Sequence, residues 1–224
     1  GEHAVVYGYK GITIPLPQMT VDVELKETNI IQERDEIISF ISEACGINDR
    51  TEININSTIP VGRGLGSSAA LSIAIARAKK LPNVREIADK CEKFIHGNPS
   101  GIDVNQVLSD TPLLFSKKDG AIPLDFNLDS YLLIIDTGVI GITKETLKHI
   151  KQNFENYKSY IDELGEITEK VIEPLKKKAI EIVGAYMYKA HDLLQKLGVS
   201  HESNDDVVNI CKNNGALGAK LTGG

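Results

Sequence analysis

The sequence predicts a fold that mixes strands and helices, and three stretches of the chain carry that prediction. Residues 51–60 largely alternate between apolar and polar side chains, as a half-buried strand does. Residues 83–95 place apolar side chains at the i, i+4, i+7 and i+8 spacing of an amphipathic helix. Beyond residue 143 most of the sequence has helical character. The chain therefore combines a first part containing strands with a second part that is mainly helical.

The other elements follow from the same patterns, taken in chain order. Further strands are predicted at residues 12–14, 21–25, 113–115 and 131–136, and the last two are predicted to be buried. Further helices are predicted at residues 33–41, 69–78, 104–108, 143–157, 160–178, 180–197 and 205–213.

Two local features refine this outline. The apolar run at residues 4–7 lies between glycines and is interpreted as a strand end followed by a turn. The helix at 83–95 begins with Asn83 and Glu86 at the spacing of a capping box. Strands give way to helices near residues 125–130, so we place a domain boundary between residues 127 and 128.

Composition excludes several classes of protein. The chain has 224 residues, of which 42% are hydrophobic, and its net charge is -6. Because this charge offers no positive field to phosphate backbones, nucleic acid is not an expected partner. The three cysteines include no C-x-x-C pair, which argues against a disulfide framework or a zinc site and favours a reduced, cytoplasmic setting. No apolar run reaches the ~18 residues of a membrane span, so no membrane partner is expected.

The stretch Pro-Val-Gly-Arg-Gly-Leu-Gly-Ser-Ser-Ala-Ala at residues 60–70 predicts a phosphate-binding loop. Three glycines at alternate positions permit tight turns and a close approach of the backbone to a ligand. The helix that follows directs unpaired N–H groups and the positive end of its dipole toward the loop. The stretch lacks the Lys-Ser/Thr pair of a P-loop and the strand-plus-acid context of dinucleotide folds. The alternative is a tight, serine-capped loop without a ligand.

Two carboxylates lie close to this point in the sequence. Glu92 lies off the apolar stripe of its helix, where a glutamate is usually a solvated surface residue. The stretch His-Gly-Asn-Pro-Ser-Gly-Ile-Asp at residues 96–103 contains a φ-fixing proline and ends in a carboxylate. Asp103 is then either the cap of the next helix or a general base for a hydroxyl group. We interpret His96 as a hydrogen-bonded structural residue.

Together with Gly-Glu-His-Ala-Val-Val-Tyr-Gly at residues 1–8, these stretches resemble the small-molecule kinases that include galactokinase, homoserine kinase, mevalonate kinase and phosphomevalonate kinase. The stretch at 60–70 is similar to the family's nucleotide loop, and residues 215–224 to its C-terminal glycine motif. The stretches at 1–8 and 96–103 resemble the mevalonate kinases specifically. The resemblance implies an α+β, two-domain GHMP-kinase-like fold, with a nucleotide-binding domain over 1–127, a C-terminal domain over 128–224 and the active site in the interdomain cleft.

The resemblance also implies a reaction, the ATP-dependent phosphorylation of the C5 hydroxyl of mevalonate to 5-phosphomevalonate in isoprenoid biosynthesis, with ATP and Mg²⁺ as cofactors. Asp103 matches the family's catalytic aspartate, Thr143 a family active-site threonine, and Ser68 with Glu92 the Mg²⁺ ligands. The implied mevalonate-binding residues are Glu2, His3, Ser100 and Gly223. The implied ATP-binding residues are Pro60, Gly62, Arg63, Gly64, Leu65, Gly66, Ser67 and Ser68. A homodimer is compatible with the resemblance.

The departures from the family lead us to expect that this sequence is a piece of a longer protein. The family's catalytic lysine is expected upstream of residue 1, and a strand and helix after residue 224. Two alternative functions stay open at this point: a related kinase acting on phosphomevalonate or another alcohol, and a catalytically silent binding or regulatory homologue. The presence of Ser68, Glu92 and Asp103 argues against the silent homologue. The lack of extra basic residues beside the substrate motifs argues against phosphomevalonate.

Overall fold

The structure, a computed structural model, describes residues 1, 3–139, 148 and 150–223. The chain forms two compact units, of which one comprises Gly1–Ile14 with Thr111–Gly224 and the other Pro15–Asp110. We call these the split unit and the continuous unit. The split unit contains two separate parts of the chain, one before and one after the continuous unit. Antiparallel pairing of residues 11–13 with residues 113–115 joins these two parts. The domain boundary predicted between residues 127 and 128 is a different division and stays a prediction.

The continuous unit contains one antiparallel strand pair, β2 and β3. The two strands pair along their full length, with Val21 opposite Ser57 and Glu27 opposite Thr51. They span Val21–Glu27 and Thr51–Ser57, as the alternating pattern predicts. The helices of this unit are α1 (Glu36–Ala44), α2 (Ser67–Ala78), α3 (Val84–His96) and α4 (Ile102–Val107).

Helices α1, α2 and α3 bury a shared apolar core. Ile41 and Cys45 from α1 and its end, Ile75 from α2, and Ile87 with Cys91 from α3 form one buried cluster. Burial raises the pKa of the Cys91 thiol to about 11, so this cysteine is a protonated core residue. The N-cap residue of α1 is Asp35, whose side chain accepts a hydrogen bond from the Ile38 N–H at 2.8 Å.

Helix α3 differs from its sequence prediction at three positions. Asn83 is its N-cap, but the Asn83 side chain makes no capping hydrogen bond, so the predicted capping box is absent. Phe94, predicted to face the core, is exposed and stacks on Phe40 with ring centroids 4.0 Å apart. Glu92, which lies off the predicted apolar stripe, is nevertheless buried. The packing of α3 against α2, and not the apolar stripe alone, therefore decides which side chains of α3 are buried.

The split unit contains a three-stranded antiparallel sheet in the order β1–β4–β5. Gly11 pairs with Phe115, and Phe115 pairs in turn with Ala121. The strands are β1 (Gly11–Thr13), β4 (Leu113–Ser116) and β5 (Gly120–Pro123). The strands predicted at 12–14 and 113–115 are confirmed. β5 was not predicted, because its sequence is short and carries glycine and proline at its ends.

Three long helices follow among the described residues of the split unit. They are α5 (Phe154–Lys176), α6 (Ile180–Lys196) and α7 (Glu202–Asn213). Leu164 from α5 and Leu193 with Leu194 from α6 form the centre of a buried apolar cluster. The predicted break between residues 157 and 160 is wrong, since Tyr157 and Tyr160 both pack on this cluster within the continuous helix α5. Most of the helix predicted at 143–157 lies outside the described residues.

Two predicted strands are corrected. Residues 131–136 form no strand, and Tyr131, Leu132, Leu133 and Ile135 are exposed, because nothing among the described residues pairs with this stretch. Residues Ala4–Tyr7 form a short 3₁₀ helix in which the Ala4 and Val5 N–H groups donate to the Gly1 carbonyl. Within the described part of the chain, no helix combines the length and apolar character needed to cross a membrane.

Candidate functional site

The glycine loop, residues 60–66, turns by left-handed glycines at alternate positions. Gly62, Gly64 and Gly66 have φ values of 72°, 68° and 67°, a region that side chains with a Cβ disfavour. β3 leads into this loop and α2 leaves it, with Gly66 as the N-cap residue of α2. The glycines at alternate positions therefore form the tight turns that their spacing in the sequence predicts.

The N-terminus of α2 faces the end of the glycine loop. The N–H of Ala70 donates to the Gly66 carbonyl at 3.0 Å and begins the helical hydrogen bonding. Ser67 and Ser68 occupy the first two helical positions, where backbone N–H groups have no carbonyl one turn earlier. Gly66 supplies no side-chain cap either. Such a helix end favours an anion, and a phosphate group fits it.

Asp103 lies against this same point. A Cβ placed on Gly66 would be 3.5 Å from Asp103 Cβ and 3.7 Å from Asp103 Oδ1, so the Asp103 side chain borders the space next to Gly66. Asp103 is exposed and lies in the first turn of α4. The N-cap of that helix is Gly101, with φ 85°. Asp103 is therefore not the N-cap residue of α4.

The turn before Asp103 is held by its own polar side chains. Ser100 Oγ accepts a hydrogen bond from the Ile102 N–H at 3.3 Å. Asn105 Nδ2 donates to the Gly101 carbonyl at 2.8 Å. These two bonds fix the start of α4 on both sides of Asp103 and so orient its carboxyl group.

A second group of side chains brings α2 and α3 together. Ser68 Oγ lies 3.2 Å from His96 Nε2, and the same nitrogen lies 3.6 Å from Glu92 Oε2. Glu92 and His96 are one turn apart on α3, which places both on one side of the helix. The structure thus brings together Ser68 and Glu92, the two residues implied as Mg²⁺ ligands, through a histidine between them.

Glu92 is the most unusual carboxylate of this site. Glu92 is only 3% exposed, and its Oε1 atom is buried without a hydrogen-bond partner. A buried carboxylate oxygen without a partner is costly unless a cation or donor satisfies it. The described residues contain no group of three or more His, Cys, Asp and Glu side chains able to hold a metal. One carboxylate, one hydroxyl and phosphate oxygens suit Mg²⁺, so these residues fit that ion in the presence of a nucleotide.

The remaining predicted residues lie elsewhere or outside the description. Pro60, Arg63 and Leu65 are partly buried in the glycine loop. His3 precedes the 3₁₀ helix of the split unit with φ 57°. Gly223, with φ 74°, ends the described chain in the same unit. Glu2 and Thr143 lie outside the described residues, so their predicted roles stay predictions.

The C-terminal glycine stretch lies on α6 within the split unit. We call residues 215–223 the glycine segment. A Cβ on Gly184 of α6 would be 2.0 Å from the Leu217 carbonyl oxygen, and a Cβ on Gly218 would be 2.4 Å from Gly184 Cα. The two backbones are therefore in direct contact, which requires glycine at both positions.

Sequence reasoning gave His96 a structural role only. The structure shows that His96 Nε2 contacts both Ser68 and Glu92. The i, i+4 spacing of Glu92 and His96 is the one sequence signal that pairs them. Which side chain of α2 would face them depends on how the two helices pack, and the sequence alone does not contain that information.

Comparison with known families matches most of this chain to one family. Residues 29–109 match the family described as GHMP kinases N terminal domain, and residues 171–224 match GHMP kinases C terminal. Together these two matches cover more than half of the chain, and they include the glycine loop, Asp103 and the glycine segment.

Individual proteins give the same result. A mevalonate kinase from Thermococcus sibiricus is 30% identical over 275 aligned residues, covering 100% of this chain and 82% of that protein. The crystal structure of L. major mevalonate kinase in complex with R-mevalonate covers 100% of this chain and 80% of its own, with TM-score 0.80 and 24% identity. Mevalonate kinase from methicillin-resistant Staphylococcus aureus MRSA252 has TM-score 0.72 and 26% identity, covering 100% of this chain and 82% of its own.

Proposed function

This chain belongs to the GHMP kinase family, and from that premise we propose that it phosphorylates mevalonate with ATP. The reaction moves the γ-phosphoryl group of ATP to the C5 hydroxyl of mevalonate and yields 5-phosphomevalonate and ADP. The curated relatives at about 30% identity over the full chain are mevalonate kinases. The reaction belongs to isoprenoid biosynthesis.

One observation supports this function more than any other. The carboxyl group of Asp103 lies against Gly66, at the N-terminus of the helix that follows the glycine loop. A phosphate held by the loop and helix end would therefore have a carboxylate beside it. Phosphoryl transfer to an alcohol needs this pairing of a phosphate site with a group that accepts or orients the hydroxyl proton.

The loop residues supply positioning and partial charge. Backbone N–H groups at the start of α2, with the Ser67 and Ser68 hydroxyls, would bind the ATP phosphates. The left-handed glycines let the backbone approach these oxygens closely. Because phosphoryl transfer depends mainly on alignment and charge neutralisation, a rigid loop of this kind supplies much of what catalysis requires.

Ser68 and Glu92 are the proposed protein ligands of Mg²⁺. When bound, this ion would neutralise phosphate charge and orient the phosphate oxygens. The unpartnered Oε1 of Glu92 supports this assignment, because it leaves a carboxylate oxygen available to a cation. His96, which contacts both residues, would hold Ser68 and Glu92 in place.

Asp103 is the proposed catalytic residue at the substrate. Its carboxylate would accept or orient the proton of the C5 hydroxyl while that oxygen attacks phosphorus. Ser100 would keep the turn before Asp103 in place through its bond to the Ile102 N–H. Glu2, His3, Ser100 and Gly223 are proposed to contact mevalonate, and Thr143 is proposed as an active-site threonine, on the resemblance alone.

ADP release from the complete protein tests the proposal. Mg-ATP is offered with mevalonate, phosphomevalonate, galactose and homoserine in parallel reactions. We expect turnover with mevalonate and none above background with the other three alcohols. Turnover with a different alcohol instead would overturn the substrate assignment while leaving the kinase family intact.

A further inference from the structure

The glycine segment contacts three residues that lie on one face of α6. Gly184, Tyr188 and His191 follow the i, i+4, i+7 spacing of a single helix face. Gly184 touches the backbone of residues 217 and 218. Tyr188 Oη donates to the Ala216 carbonyl at 2.8 Å, and His191 accepts from the segment further along. This face therefore holds the segment at several points.

His191 makes the contact nearest to the end of the segment. Its Nδ1 accepts a hydrogen bond from the Leu221 N–H at 3.3 Å, two residues before Gly223. Its Nε2 lies 3.2 Å from Asp205 Oδ1 on α7. The residue is 2% exposed, and its Nε2 faces Asp205 without a well-aligned hydrogen bond. His191 thus connects the glycine segment to α7 from a buried position on α6.

The contact with Leu221 requires a particular protonation state. Nδ1 can accept a hydrogen bond only when it carries no proton, which leaves the proton of the neutral ring on Nε2 beside Asp205. A doubly protonated ring would direct an Nδ1–H toward the Leu221 N–H, and two donors would then face each other. Protonation of His191 therefore breaks its bond to the glycine segment.

The surroundings of His191 favour the neutral ring. Burial is the main cause that lowers the pKa of His191 below its ordinary value, and Lys220 of the glycine segment acts in the same direction. Asp205 on α7 and Asp192 on α6 act in the opposite direction. The stability that His191 contributes is therefore fully present above its unfolded pKa, about 6.5, and is lost as pH falls through the lower folded value.

We propose that His191 is a positioning residue for phosphoryl transfer, which holds the backbone at Leu221, and with it Thr222 and Gly223, only while its imidazole ring is neutral. This proposal rests on the proposed function, in which Gly223 contacts mevalonate. His191 is buried and acts through the peptide group it binds.

Two substitutions separate positioning from simple packing. His191→Gln keeps an acceptor for the Leu221 N–H and a donor for Asp205, but it has no proton to gain. His191→Leu fills the space without either polar group. At about pH 7.5 we expect His191→Leu to lower kcat/KM for mevalonate roughly tenfold to a hundredfold, and His191→Gln to remain within about threefold of the wild type. The matched control is His201→Leu, which removes another histidine that accepts from a backbone N–H, the one of Ser203 on α7.

The pH profile supplies the decisive kinetic comparison. As the pH falls from about 7.5 into the range below 6.5 where the lowered pKa of His191 lies, we expect activity of the wild type to fall more steeply than that of His191→Gln. Equal pH profiles for these two proteins would overturn the proposal, as would wild-type activity in His191→Leu. A His201→Leu protein with the same loss as His191→Leu would also overturn it, because the effect would then not be specific to the glycine segment.

Hydrogen exchange at residues 219–223 tests the contact without any substrate. After correction for intrinsic exchange, protection of this peptide in the wild type should fall on acidification, and in His191→Gln it should not. Equal protection of wild type and His191→Leu at neutral pH would overturn the contact itself. A wild type that holds the segment but does not phosphorylate mevalonate would instead overturn the proposed function, and the positioning role would fall with it.

Discussion

The glycine loop at residues 60–66 and the glycine segment at residues 215–223 look alike in sequence, but different forces shape their backbones. In the loop, three glycines at alternate positions adopt left-handed φ values, and a Cβ on Gly66 would still find ordinary contact distances. In the segment, Gly218 lies against Gly184 so closely that no Cβ fits at either position. The loop is shaped by backbone conformation, whereas the segment is shaped by the helix it lies on.

This difference separates two uses of glycine. A left-handed glycine can be recognised from local spacing, because turns require it wherever they occur. A glycine needed for close contact can be recognised only when its partner is known, and here the partner lies more than thirty residues away in sequence. Substitutions at the glycine loop and its neighbours therefore test chemistry and local backbone conformation. Substitutions in the glycine segment and on α6 test packing.

The largest expected effect is at Asp103, beside the glycine loop. Asp103→Ala should lower kcat by about a hundredfold to ten-thousandfold, because it removes the group that accepts or orients the hydroxyl proton. ATP binding should change little, since the loop and the start of α2 remain. Steady-state kinetics and nucleotide titration measure the two quantities, with the exposed Asp110→Ala as control. Undiminished turnover in Asp103→Ala would remove this residue from the mechanism.

A smaller effect is expected at Glu92, which belongs to the same candidate site as the glycine loop. Glu92→Gln should raise the Mg²⁺ concentration needed for half-maximal activity by about tenfold or more, because the carboxylate charge is lost. Without metal, the variant should be at least as stable as the wild type, since a buried carboxylate oxygen without a partner has been replaced by a neutral group.

The stability measurement distinguishes the two interpretations of Glu92. A purely structural glutamate, held by His96, would lose free energy of unfolding on substitution and leave the Mg²⁺ titration unchanged. Glu86→Gln, an exposed change on the same helix, serves as the control for both measurements. Thermal unfolding with and without Mg²⁺ is a readout that does not depend on activity.

One alanine substitution on α6 and one in the glycine loop test whether different forces shape the two glycine-rich stretches. Gly184→Ala should lower the free energy of unfolding by about 3 kcal/mol, because the new Cβ would lie 2.0 Å from the Leu217 carbonyl oxygen and the backbone would have to move. Gly66→Ala should cost only about 1–2 kcal/mol, which is the price of a left-handed φ where there is room for the methyl group. Urea unfolding measures both values. Equal costs would mean that the glycine segment does not lie on α6 in solution as it does here.

The smallest expected effect is at Tyr188. Tyr188→Phe removes one hydrogen bond to the Ala216 carbonyl and should cost about 1 kcal/mol or less. Tyr186→Phe, on the same helix and packed on the apolar cluster, is the matched control. A cost at Tyr188 equal to that of Gly184→Ala would show that the hydrogen bond, and not the close backbone contact, holds the segment.

Local patterns predicted the parts of this molecule that depend on neighbours in sequence. The alternating residues of β3, the glycines of the loop and the amphipathic α1 are confirmed, and the GHMP-kinase α+β fold is confirmed by the family and structure matches. The parts that depend on distant partners were harder to predict. The burial of Glu92 depends on the packing of α3, and the exposure of residues 131–136 depends on the lack of a pairing strand among the described residues. The location of the active site in an interdomain cleft stays a prediction.

The contact between Gly184 and Gly218 also restricts how this protein can change over generations. When two side chains touch in a core, an enlargement of one can be offset by a reduction of the other. Here both partners already have the smallest side chain, and a Cβ on either one meets backbone atoms of the other within 3 Å. No second substitution at the partner position can compensate for the first. Mutational drift at either position therefore requires a shift of the whole glycine segment along α6.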